Sequence, residues 1–114
     1  MILYGNNKYR NQKVKVNGEK FDSKKEAERW AQLRLLEKVG EITDLKRQVS
    51  FELIPSQKIG GKVVERACYY IADFVYLDSK GHIVIEDAKG VRTKEYIIKR
   101  KLMLWVHGVH IHEV

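Results

Sequence analysis

The sequence predicts a mixed α/β (α+β) domain with a charged cluster on its sheet. Three observations predict it. Two runs that alternate apolar and polar residues, about Cys68–Leu77 and 82–89, flank the turn Asp78-Ser79-Lys80-Gly81, as the strands of a hairpin do. Two longer stretches, near 22–40 and 93–108, carry helix caps and glycine stops. A last alternating run, VHIHEV, follows the second of them. The expected order is hairpin, helix, three strands, helix, strand, with α-β-β-β-α-β at its centre and a mixed sheet flanked by helices.

Each element has a local reason. Residues 1–12 hold Lys8 and Arg10 beside Tyr4 and Tyr9, which reads either as an arm for a nucleic-acid backbone or as a solvated tail. The single domain is expected over 13–114. In KVKV-NG-EKFD, Asn17-Gly18 tolerates positive φ and signals a hairpin, and Phe21 returns the chain to the core. Asp22 or Ser23 caps a helix to about Val39, and Ser23-Lys24-Lys25-Glu26 matches a capping box. Gln48 opens a strand in which Val49, Phe51 and Leu53 alternate with Ser50 and Glu52, and Pro55 and Ser56 end it. Gly60-Gly61 marks a second hairpin tip between Lys58 and Lys62. Thr93 caps a second helix to about His107, apolar nearly all round and so expected to be well buried. His110 and His112 share a face of the last strand; a polar outer face of an edge strand is favoured there over a histidine metal site.

Composition narrows the class. A chain of 114 residues holds one core, and a net charge of +7 favours a polyanionic partner. Cys68 is the single cysteine, so an internal disulfide and a cysteine zinc cage are excluded and a reducing, cytoplasmic setting is expected. No apolar run approaches a membrane span, and MILYGNNKYRNQK lacks a signal core, so neither membrane nor secretion is expected.

Charge inside the apolar runs is the informative feature. Ile71, Asp73 and Val75 share one face of their strand; Ile83, Ile85, Asp87 and Lys89 share one face of the next. Paired, these strands gather two carboxylates and an ammonium, which is costly in a half-buried sheet. A divalent cation between the carboxylates would stabilise them, with the lysine facing a phosphate or a water. The plain alternative is a structural ion pair between Lys89 and an aspartate. At 100° per residue Glu26 falls between Trp30 and Leu33 on the wheel of the first helix, either facing the sheet or capping the helix in water. Lys99 on the second helix reaches the cluster or snorkels to solvent.

The order of elements, Asp73, and then Asp87-Ala88-Lys89 resemble the PD-(D/E)XK nuclease superfamily, whose core is the restriction-endonuclease-like αβββαβ fold. Ala72 replaces the leading proline of that motif. The wider pattern FDSKKEAERW, YIADFVY, VIEDAKG and TKEYIIKRKLM is similar to a small phage-type family, formerly of unknown function, that is itself similar to junction-resolving endonucleases. The resemblance covers about 12–114. It implies that Asp73 and Asp87 ligate a metal with the Ala88 carbonyl, that Lys89 is the catalytic lysine, and that Glu26 completes the site. Lys99 matches a region where some members carry an extra helix lysine or glutamine. Glu86 departs from the usual apolar residue before D-X-K; by parity it points to the sheet's other face and pairs with a basic side chain, whereas a backbone bulge would put it in Asp87's place.

The chemistry so implied is hydrolysis of DNA phosphodiester bonds with one or two Mg²⁺ or Mn²⁺ ions, which prefer oxygen ligands. Lys8, Arg10, Lys13, Lys24, Arg92, Lys94 and Lys99 are the expected grip on the DNA backbone. Selectivity for branched DNA such as Holliday junctions, in phage-type recombination or replication, and a homodimer supplying two nicks complete the expectation. A non-catalytic nucleic-acid-binding module on the same fold is the alternative. A structural or protein-interaction domain leaves the clustered charges without a reason.

Overall fold

A computed structural model describes residues 13–114, so the arm expected over 1–12, with Lys8 and Arg10, lies outside the described residues. The chain is mixed α+β. Strands β1 (Val14–Val16) and β2 (Glu19–Phe21) form the first hairpin, followed by helix α1 (Lys24–Lys38). Strand β3 (Thr43–Ile54) precedes a second hairpin, β4 (Gln57–Ile59) and β5 (Lys62–Glu65); then come β6 (Cys68–Leu77), β7 (Ile83–Asp87), helix α2 (Lys94–Leu102) and β8 (His112–Glu113). The central sheet has the order β3-β6-β7-β8, antiparallel except for the parallel β7/β8 pair. That parallel pair needs a crossover, and α2 supplies it.

Local chemistry sets most boundaries. Asn17 and Gly18 both have positive φ, 51° and 82°, as a tight two-residue turn requires. Ser23 Oγ accepts the Glu26 N–H at 3.1 Å and Thr93 Oγ1 accepts the Tyr96 N–H at 3.1 Å, so both helices begin on a hydroxyl cap. The turn after β6 is closed by Asp78 Oδ1, which accepts the Lys80 and His82 N–H groups.

Two expectations are corrected. Strand β3 starts at Thr43, well before Gln48, because a register shift between Thr43 and Lys46, with Asp44 at φ 56°, breaks the alternation that periodicity relies on. The second helix is not buried all round. It seats Tyr96 and Met103 in the core, while Ile98, Leu104, Val106 and Trp105, the last 86% exposed, face outward. After Leu102 the helix widens into a π turn, Met103–His107, which ends at left-handed Gly108.

The core has two parts. Leu33, Ile42, Phe74 and Tyr76 pack beneath α1; Leu53, Tyr70, Ala72, Val75, Ile85, Tyr96, Met103 and Ile111 pack toward α2. Glu86 faces the α1 side, fully buried, where Arg29 grips it with Nε and Nη2 at 2.7 Å each and the Tyr76 hydroxyl donates to it. Burial pushes the Glu86 carboxyl up, but the Arg29 and Tyr76 hydrogen bonds outweigh that and hold it below its ordinary value. This forked contact ties α1 to β7 and agrees with the parity reading of Glu86.

At the far edge, Glu113 accepts from Arg92, from the Tyr96 hydroxyl at 2.7 Å and from Arg100 at 3.4 Å, joining β8 to α2. Among the described residues no helix is long and apolar enough to cross a membrane.

Two outcomes are expected. Arg29→Ala, which strands the Glu86 carboxylate, lowers unfolding free energy by about 3 kcal/mol in urea titration. The hydrogen bonds from Arg92 and Tyr96 hold Glu113 at about 2 against an ordinary 4.5, so its contribution is complete above pH 4.5 and is lost as pH falls toward 2. Thermal unfolding across that window falls less steeply in Glu113→Gln than in the native chain.

Candidate functional site

The site lies where β6 and β7 stop pairing. Their last paired residues are Phe74 and Glu86, and one step further the same register sets Asp73 opposite Asp87. Like charges directly opposite repel. Burial first, and then the Asp87 charge, push the Asp73 carboxyl up to about 7, against the opposing pull of the Ala88 N–H.

The neighbours answer that repulsion. Asp73 Oδ2 accepts the Ala88 N–H at 2.9 Å, and Asp73 Oδ1 accepts Gln48 Nε2 at 3.2 Å. Asp87 Oδ2 accepts the Tyr70 hydroxyl at 2.5 Å, and Lys89 Nζ stands 3.0 Å from Asp87 Oδ1. Burial and the Asp87 hydrogen bond push the Tyr70 hydroxyl above its ordinary range, so it remains a donor. The Lys89 ammonium also lies 3.9 Å from the centre of the Tyr96 ring, a cation–π seat. Backbone bonds fix this segment: Val114 N–H donates to the Asp87 carbonyl at 3.0 Å, and Lys89 N–H donates to the Val114 carbonyl at 3.3 Å.

Glu26 enters from α1 and is buried, 3% exposed, which decides against a purely solvated cap. Its Oε2 accepts the Asp22 N–H at 3.3 Å, one residue before the Ser23 cap, while Oε1 accepts from Gln48 Nε2 at 3.3 Å and from Arg47 Nη2 at 3.4 Å. Burial, then the nearby Asp22 charge, raise its pKa. The Arg47 guanidinium lies 3.9 Å from the centre of the Phe21 ring and donates to the Lys20 carbonyl, so it pins the first hairpin beside Glu26.

Glu26, Asp73, Asp87, Ala88 and Lys89 therefore line one open pocket of about 500 Å³, together with Gln48 and Lys25. A larger hollow, about 880 Å³, lies between the first hairpin and α1 around Phe21, Trp30 and Leu35; it holds none of these carboxylates. The carboxylates are not drawn around a common point, and among the described residues no group of three or more His, Cys, Asp or Glu is arranged to hold an ion. Each instead has a neighbouring donor, with Lys89 on Asp87 and Gln48 between Glu26 and Asp73. The three carboxylates themselves are the hard-oxygen kind of ligand that Mg²⁺ and Mn²⁺ take.

The expected DNA contacts among the described residues differ in their surroundings. Lys13, Lys24 and Lys94 are exposed. Arg92 is not a free cation: it binds Glu113 at 2.7 Å through both Nε and Nη2. Lys99 pairs with Glu95 at 3.0 Å, one turn back along α2, and lines a smaller hollow that adjoins the pocket through Asp87 and Lys89.

Three contributors escape sequence reading. Gln48 sits in β3 with φ 52°, between the Arg47↔Phe74 and Val49↔Ala72 pairs, and spans two carboxylates. Lys25 Nζ donates to the Lys89 carbonyl at 2.9 Å. Tyr70 reads as core until its hydroxyl is seen on Asp87. Positive φ in a strand leaves no mark on a glutamine's identity, so nothing local distinguishes Gln48.

Residues 6–109 match the family described as Protein of unknown function (DUF1064). The chain belongs to that family. Every pocket residue falls inside the DUF1064 match, from Asp22 to Gly90. No curated protein and no solved structure matches the chain.

The backbone at Gln48 is testable apart from any activity. Gln48→Gly relieves the left-handed strain and keeps stability within about 1 kcal/mol, whereas Gln48→Val, β-branched at positive φ, costs about 1–2 kcal/mol more by thermal unfolding.

Proposed function

We propose that this member of the DUF1064 family is a divalent-cation-dependent endodeoxyribonuclease of the PD-(D/E)XK type. What supports the reading is that Glu26, Asp73, Asp87 and Lys89, from α1, β6, β7 and the segment after β7, line one pocket. Asp73, Asp87 and Glu26, with the Ala88 backbone, are the groups that would hold Mg²⁺ or Mn²⁺. Such a cation, when bound, neutralises a non-bridging phosphate oxygen and acidifies water.

The chain's own groups have separable tasks. Asp73 and Asp87 present negative charge that the fold holds together against repulsion. The Tyr70 hydroxyl keeps Asp87 oriented. Lys89, paired with Asp87 at 3.0 Å, is a cation of the pocket: turned from that carboxylate it would donate to a phosphate oxygen or hold a water. Lys25, on the pocket rim, adds a second ammonium for the phosphate backbone. Branched DNA is the proposed substrate class; cutting both strands of a branch takes two sites, which two copies of the chain supply. One cysteine fits a reducing, cytoplasmic setting.

One observation favours a second reading, a nucleic-acid-binding module without cleavage: each carboxylate already has a donor from its neighbours. The same experiment separates the two. The native chain nicks supercoiled and branched DNA with Mg²⁺ or Mn²⁺ and not with EDTA. Asp73→Asn, Asp87→Asn and Lys89→Ala each slow nicking by at least about 100-fold with unchanged circular dichroism. Calorimetric Mn²⁺ binding weakens in the two aspartate variants. DNA binding without nicking under any divalent cation would leave the second reading standing.

A further inference from the structure

Among the described residues the second hairpin has no structural task visible in the fold. Every residue from 54 to 66 is exposed, and among the described residues β4 and β5 pair only with each other. Ile59, Val63 and Val64 stand 73%, 54% and 51% in water. A two-stranded ribbon with both faces wet is marginal by itself and adds nothing to the core.

Its register explains what it presents. Ile59 faces Lys62 and Lys58 faces Val63, and directly opposed residues project from the same side of a ribbon. Each face near the tip therefore carries one ammonium and one apolar side chain. The tip, Gly60-Gly61, has φ 58° and 80° and no side chain, so the end is slim. Arg66 adds a third cation at the base against one acid, Glu65.

We infer that this hairpin is a duplex-DNA grip, entering the major groove with Lys58 and Lys62 on the phosphates of its two walls. The groove, about 12 Å wide, admits a two-stranded ribbon. Ile59 and Val63 have no side-chain donors or acceptors, so they shed water against the groove without hydrogen-bonding to bases. The grip is sequence-neutral. The ribbon springs from the end of the β3–β6 pair at Ile54 and Cys68, about 17 Å along β6 from Asp73 at ~3.3 Å per residue. A duplex with a phosphate in the pocket passes within reach, since one helical turn spans about 34 Å. The inference rests on DNA being the partner in the reading above, and not on cleavage.

The test is fluorescence anisotropy with a labelled duplex of several helical turns, in EDTA, over a series of NaCl concentrations. The double variant Lys58→Ala/Lys62→Ala binds about tenfold more weakly, and its plot of log affinity against log salt loses about 2 from its slope. Ile59→Ser binds a few-fold more weakly with the native slope. Because the hairpin is outside the core, circular dichroism stays native. Native affinity and slope in the double variant overturn the inference, as does a native chain that does not bind duplex at all. A change in sedimentation mass with DNA affinity untouched also overturns it, and assigns the hairpin to a contact between copies. Hairpin-dependent binding by a chain that nicks nothing supports the grip while sinking the nuclease reading; nicking that ignores the hairpin does the reverse.

Discussion

Asp73 and Asp87 are set side by side by the register of β6 and β7, and that enforced repulsion organises the site. The sheet cannot relieve it without giving up the pairing that buries Val75 and Ile85. Relief comes instead from donors brought in by other elements: the Ala88 N–H, the Gln48 carboxamide, the Tyr70 hydroxyl and the Lys89 ammonium.

The opposite face of the sheet keeps that geometry. Arg29 on α1 grips Glu86 on β7, the residue just before Asp87. The same helix delivers Glu26 to the pocket from the turn before Arg29. One helix thus makes a structural ion pair on one side and a site contribution at its end. The left-handed Gln48, where β3 and β6 pass without a pair, lets a strand residue bridge Glu26 and Asp73. Backbone in a rarely used conformation at a cluster of charge is the sort of local cost that functional sites carry.

The edges of the molecule differ in character. The α2 edge is tied down by Glu113, whose three donors come from Arg92, Tyr96 and Arg100. That contact pairs Arg92 while leaving its side chain 58% exposed. Among the described residues the second hairpin has no such anchor and keeps its lysines in water.

Much of this was legible in the residues themselves, because the signals are local. Caps at Ser23 and Thr93, turns at Asn17-Gly18 and Gly60-Gly61, the alternation of 68–77 and the parity that sends Glu86 away from Asp87 all depend on near neighbours in the chain. Periodicity failed where a bulge interrupted it, at Asp44 in β3, and where apolar content stood in for burial, at Trp105. Only the tertiary structure decided that Glu26 is buried beside Asp73, that Gln48 joins them, that Tyr70 serves Asp87, and that Arg92 belongs to Glu113. Those contacts link residues distant in the chain through register, twist and helix placement, and no short stretch of sequence carries that information.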